Sequence, residues 1–299
     1  MEKRLFGRTG MQVSPLGFGG AEIGFEQVDA SVVEKLLGDA LEAGLNVIDT
    51  AECYSGSEEL LGKSLAGKRS QYYLFTKCGH ERGPGFVDAW EPDKLEKSID
   101  RSLRLLKTDY LDLIQLHSCS EAVLKKGEVI DALAKAKKAG KTRFIGYSGD
   151  GQDALYAIKC GAFDTLQTSV NVADQEALEL TLPLAAQQGM GVIAKRPIAN
   201  AAWLSRTKPA NDYIVPYWER LKQLGYDFIN GKNGQAIEVA LRFTLSVPGV
   251  HVAIVGTTKP GRWRENAAYV SRGPLSKDTF AEIRQKWKSV AKDTWVGQV

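Results

Sequence analysis

Eight short apolar runs, separated by stretches whose apolar residues recur at helical spacing, are the feature that most limits what this chain can fold into. The runs cover residues 15–19, 47–49, 72–76, 111–116, 144–147, 165–168, 191–194 and 252–255. They are nearly continuous in Val, Ile, Leu and aromatic side chains, as strands buried on both faces are. Between the first two, Val33, Leu37 and Leu41 recur at i, i+4 and i+8, with Ser31 as the expected N-cap and Gly44 as the stop. Leu95, Ile99 and Leu103 repeat the pattern after Pro92, a residue suited to a first helical turn.

Strands alternating with amphipathic helices imply a parallel sheet covered by helices. Eight such units in 299 residues fit a closed (β/α)8 TIM barrel better than an open doubly wound sheet. An N-terminal β-hairpin, turning at residues 8–10 of "RLFGRTGMQVSPL", and an extra C-terminal helix complete the expected α/β fold. The spacing is even from end to end, with no Pro/Ser-rich linker, so residues 1–299 are expected to form one domain.

Composition narrows the function classes. A net charge of +3 from 39 basic and 36 acidic residues gives no electrostatic case for nucleic acid or an anionic membrane. The first residues lack the apolar core of a signal peptide and no run approaches the ~20 residues of a membrane span, so a cytoplasmic location is expected. Cys53, Cys78, Cys119 and Cys160 show no CxxC spacing and are expected as thiols.

Two phosphate-binding motifs are near misses. "GFGGAEIG" carries Glu22 where a dinucleotide fingerprint needs its third glycine. "GSEELLGKS" has Ser57 in place of a P-loop glycine and two acids that repel phosphate, so it reads as an acidic helix start with Gly62 allowing close packing.

On a barrel, polar residues at the C-terminal ends of strands are the first candidates for function. Asp49 ends the second strand, Lys77 follows the third, His117 follows the fourth, and Tyr54 lies in the loop after the second. Four such groups would emerge on one rim.

In order along the chain, "LGRTGMQVSPLGFGG", "GLNVIDTAECYSGSEELLGKSL", "LFTKCG", "LDLIQLH", "FIGYSG" and "VGTTKPGRWREN" resemble the sequence blocks of the aldo-keto reductase family. The resemblance covers nearly the whole chain and implies a catalytic tetrad of Asp49, Tyr54, Lys77 and His117. Carbonyl reduction needs a hydride from a dihydronicotinamide and a proton for the developing alkoxide. Tyr54 would donate that proton, with the Lys77 ammonium lowering its pKa, Asp49 keeping Lys77 charged and aimed, and His117 orienting the carbonyl.

The resemblance also implies a nicotinamide cofactor across the strand ends. Ser148 and Gln167 match positions that hold its carboxamide; the usual Asn after that serine is Gly149, leaving Asp150 or Asn171 to contribute. Lys195 stands where many members stack an aromatic on the nicotinamide ring, and its stem or head, like that of Arg196, would serve the ring or a phosphate. Thr257, Lys259 and Arg262 are expected at a 2′-phosphate and Glu265 and Asn266 near the adenine, with Gly256 replacing a lysine common in the family. The positive charge of Lys259, Arg262 and Arg264 favours NADP(H) over NAD(H).

The implied substrate is a small carbonyl or alcohol: an aldehyde, ketone or sugar. Ala21, Trp90, Trp203, Tyr217, Trp218 and Trp295 are candidate pocket walls. Two other readings compete: a zinc-dependent barrel hydrolase using Cys53, Cys78, His80, His117 or Cys119, and a non-catalytic NADP(H)-sensing subunit on the same fold. The sequence leaves the oligomeric state open.

Overall fold

The computed structural model describes residues 1–81, 87–231 and 233–298. Eight parallel strands close into a barrel: β1 (Leu16–Gly19), β2 (Val47–Asp49), β3 (Tyr73–Cys78), β4 (Leu111–His117), β5 (Thr142–Ser148), β6 (Thr165–Ser169), β7 (Gly191–Lys195) and β8 (Val252–Val255). Each pairs with its sequence neighbours, and β8 returns to β1 through Ala253 opposite Leu16. All eight apolar runs are strands, and the expected (β/α)8 barrel is the fold.

The antiparallel hairpin Arg4–Leu5 with Gln12–Val13 closes the N-terminal end of the barrel. Phe6, Met11 and Val13 pack against Val47, Phe75, Leu113, Ile193 and Val252 inside it. Phe6 and Phe75 stack at 5.8 Å. Plugged from below with side chains, the barrel can open only at its C-terminal rim.

Helices cover the outside. Ala30–Glu42 buries Val33, Leu36, Leu37 and Ala40, but its N-cap is Asp29 in extended conformation, and Ser31 falls inside the first turn. The expected Ser31 cap is corrected accordingly. Pro92 opens Pro92–Leu106, which buries Leu95 and Ile99. The P-loop near miss is the helix Ser57–Ser64, and a Cβ on Gly62 would run into the Leu105 carbonyl of the adjoining helix, so the glycine permits close approach. The extra C-terminal helix is Lys277–Val290, capped by the Ser276 side chain on the Thr279 amide. Among the described residues no helix is long and apolar enough to cross a membrane.

Candidate functional site

Side chains alternate across a strand, so every second residue points into the barrel. Along β3 the inward series is Tyr73, Phe75, Lys77; along β4 it is Leu113, Gln115, His117; along β7 it is Ile193, Lys195. Each begins apolar over the hairpin plug and ends polar at the rim. Parallel register sets these ends side by side: Lys77 opposite Gln115, His117 opposite Ser148, and Ser148 opposite Gln167.

Lys77 Nζ lies 2.5 Å from Asp49 Oδ2 and donates to the Thr50 carbonyl at 2.8 Å. Asp49 Oδ1 accepts from Gln115 Nε2 at 3.3 Å and Gln167 Nε2 at 3.1 Å. Tyr54 lies over this pair, its ring centre 5.0 Å from Lys77 Nζ and edge-on to the His117 ring at 5.9 Å. Asp49 and Lys77 are buried, whereas Tyr54 and His117 keep part of their surface. The structure thus brings all four rim residues together, with the ion pair beneath and the phenol and imidazole above.

Burial dominates the electrostatics. It pushes the Asp49 carboxyl up, while Lys77, Gln167 and Gln115 pull it back. It pushes the Tyr54 phenol well above its usual range, with the Asp49 charge acting the same way. The lowering of Tyr54 expected from Lys77 is therefore not the net outcome: burial and the Asp49 charge outweigh it, and the phenol stays protonated. Burial, then the positive charges of Lys77, His80, Lys195 and Arg196, hold His117 well below its usual range, so its imidazole is neutral.

Ser148 Oγ donates to Gln167 Oε1 at 2.9 Å, so Gln167 spends its oxygen on Ser148 and its nitrogen on Asp49. Gly149 has a steric cause, since a Cβ there would press on the Tyr147 ring. Asp150 is not available to a ligand: it accepts from Thr168 Oγ1 and the Ser169 amide and pairs with Lys195 at 2.8 Å. Asn171 is buried, and its Nδ2 has no hydrogen-bond partner.

Lys195 and Arg196 reach the rim but are already engaged within the chain. Lys195 Nζ donates to the Gln298 carbonyl at 3.3 Å; Arg196 Nη1 donates to the same carbonyl and to Ser169 Oγ, each at 2.7 Å. Burial brings Lys195 down to about 8 against the opposing pull of Asp150. The segment 296–298 is tied here also by Arg220 on the Val296 carbonyl and Glu176 on the Gly297 amide.

The loop after β8 leads into the helix Arg262–Val270. Thr257 Oγ1 accepts the Lys259 amide at 3.1 Å, which folds the loop back toward the helix start. Arg262 pairs with Glu265 at 2.7 Å, and Glu265 also accepts from the Tyr269 hydroxyl, so the acid is committed locally. Asn266 is buried with its Oδ1 lacking a partner. Beside Gly256 lies the Glu22 carboxylate, into which a side chain at 256 would run.

Gln115 was not singled out from sequence, and Cys53 and His80 were raised only as metal ligands. Gln115 was detectable, being a polar residue in an apolar run and two before His117, hence on the same face. Cys53, whose Sγ lies 3.4 Å from His117 Nδ1, and His80, whose ring stacks edge-on to His117 at 5.2 Å, depend on loop paths. Of the candidate walls, Trp90 packs on His80 at the rim, whereas Tyr217 is buried on Asp174 and Trp295 packs on Trp287. These last two serve the fold. All four cysteines are free thiols, and among the described residues no group of three or more His, Cys, Asp or Glu is placed to hold a metal.

A closed barrel with a buried ion pair under a phenol and an imidazole defines the class of protein, and comparison with known proteins gives its family. The model of the aldo/keto reductase family matches residues 15–288, and the chain belongs to that family of oxidoreductases. It is 30% identical to L-galactose dehydrogenase of Arabidopsis thaliana over 99% of this chain and 97% of that one. An aldo-keto reductase from Bacillus halodurans, solved in its holo form, is 26% identical, with a TM-score of 0.85 over 98% of this chain and 99% of the other. An aldo-keto reductase from Klebsiella pneumoniae in complex with NADPH is 25% identical, with a TM-score of 0.75 over 100% and 99% of the two chains.

Proposed function

We propose that this chain, working as a single barrel domain, is an NADP(H)-dependent oxidoreductase that interconverts a carbonyl and an alcohol on a small substrate, a sugar in the first instance. The observation that carries the reading is the buried Asp49–Lys77 pair directly beneath the Tyr54 ring and next to His117. The Klebsiella relative's NADPH supports the cofactor, and the name of the Arabidopsis relative supports the sugar.

The residues present fit the cofactor. Asn266 Oδ1 and Asn171 Nδ2 are a buried acceptor and a buried donor without partners, suited to an adenine amine and a carboxamide respectively. Ser148 and Gln167 are joined to each other, and Gln167 to Asp49. Thr257, Lys259 and Arg262 supply a hydroxyl and positive charge at a helix start, where backbone N–H groups favour an anion. Lys195 and Arg196 would have to exchange the Gln298 carbonyl for a cofactor oxygen.

When bound, the nicotinamide supplies or accepts the hydride. In reduction Tyr54 gives its hydroxyl proton to the developing alkoxide; in oxidation it takes one back. Lys77 stabilises the phenolate left behind, and Asp49 holds Lys77 in place through the bond at 2.5 Å. His117, neutral in its half-buried setting, donates one ring N–H to the substrate oxygen.

The test is a panel of aldoses, aldehydes, ketones and sugar alcohols with each of the four nicotinamide cofactors, followed at the absorbance band of the reduced ring. Turnover of a sugar with NADP(H) is the expected result. Tight NADPH binding with no turnover across the panel contradicts it.

A further inference from the structure

A neutral imidazole has one N–H, and it can assist a substrate oxygen only if that proton sits on the nitrogen facing the pocket. Which nitrogen holds it is set by the partner of the other. Cys53 lies in the loop between Asp49 and Tyr54, is buried, and places Sγ 3.4 Å from His117 Nδ1. Sulfur is a weak acceptor, whereas a bare imidazole nitrogen is a good one, so the contact favours S–H donating to Nδ1.

We propose that Cys53 is a positioning residue: its thiol proton is donated to His117 Nδ1 and thereby fixes the His117 proton on Nε2, the nitrogen presented to the substrate. This rests on the carbonyl–alcohol reading above and adds to it. The other neighbours of His117 do not do this work. His80 pairs through its own Nδ1 with Asp88 at 3.2 Å and hydrogen-bonds to the backbone of His117. Tyr54 meets the ring edge-on at 5.9 Å. Lys77 is spent on Asp49 and Thr50.

The chain holds three histidines, so their nitrogen resonances can be assigned by comparison with His80→Gln and His251→Gln. In protein labelled with 15N-histidine, His117 is expected to carry its proton on Nε2 with Nδ1 as a hydrogen-bonded acceptor. Cys53→Ala is expected to give a mixture of the two tautomers and to lower kcat about tenfold, the scale of one hydrogen bond, with cofactor KM within about twofold. Cys53→Ser, which keeps an O–H donor, is expected to recover part of kcat.

A wild-type spectrum with the proton on Nδ1 overturns the proposal without any variant. So does a Cys53→Ala protein whose His117 resonances and kcat are both unchanged. If Tyr54→Phe abolishes turnover while Cys53→Ala alters nothing, only this inference fails; if Tyr54→Phe turns over normally, the functional reading fails first.

Discussion

Lys77 Nζ and Asp49 Oδ2 stand 2.5 Å apart with each side chain 2% exposed, a full ion pair at the top of an interior that is apolar below it. Two charges held this far from water are stable only together, because either one alone keeps the desolvation cost without its partner. Lys77→Met is therefore expected to cost on the order of 3–5 kcal/mol of stability. The double variant Asp49→Asn with Lys77→Met should recover much of that loss and remain inactive. Urea unfolding of the two singles and the double measures the coupling, and strictly additive losses would show that the residues do not depend on one another.

The pH dependence of turnover follows from the direction of two shifts. Tyr54 is pushed well above 10, so the acid proposed for reduction stays protonated through neutral pH. His117 is pushed well below 6.5, so its imidazole stays neutral over the same range. Reductive kcat is expected to be flat from about pH 6.5 to about pH 10, between the two reference values. Oxidation, which needs the phenol to accept a proton, should rise toward alkaline pH. Initial rates in both directions check this, and a break near pH 7 in the reductive profile would mean that a different group carries the proton.

Much of the barrel was legible because burial on both faces leaves a mark: all eight strands coincide with apolar runs. Asp49, Lys77 and His117 were legible as polar residues closing such runs, and Tyr54 through its block of sequence. Pairwise choices inside the site were not. The sequence offers Asp150 as a ligand contact, but Lys195 claims it, and the Gln298 carbonyl reaches Arg196 from 102 positions away. The N-cap at Asp29 rather than Ser31 turned on one residue's backbone angles. The net shift of Tyr54 runs opposite to the one expected from Lys77 because that expectation counted charge without burial.

The loop after β7 hides another feature that composition does not announce. Ala199, Asn200 and Ala201 have φ of 47°, 52° and 50°, and Arg196 has 55°, although no glycine is present. A left-handed L-residue costs about 1–2 kcal/mol, and glycine avoids that cost while losing more freedom on folding. Ala201→Gly is expected to stabilise the protein by about 0.5–1 kcal/mol. Ala132→Gly, within the helix Glu128–Lys138, should destabilise it by about 1 kcal/mol. Opposite shifts in urea midpoint are the expected outcome; a loss in both variants would contradict the left-handed turn.

The proposed mechanism centres on Tyr54 as proton donor, and Tyr54→Phe removes its hydroxyl while keeping the ring that packs on Phe25 and His117. The direct measurement is steady-state turnover of this variant beside its NADPH affinity by fluorescence titration. Turnover should fall about a thousandfold, within the usual range for a lost general acid, with the dissociation constant changed by less than about threefold, about 0.6 kcal/mol. Turnover close to that of the unaltered protein, with NADPH bound as before, would show that the proton comes from elsewhere.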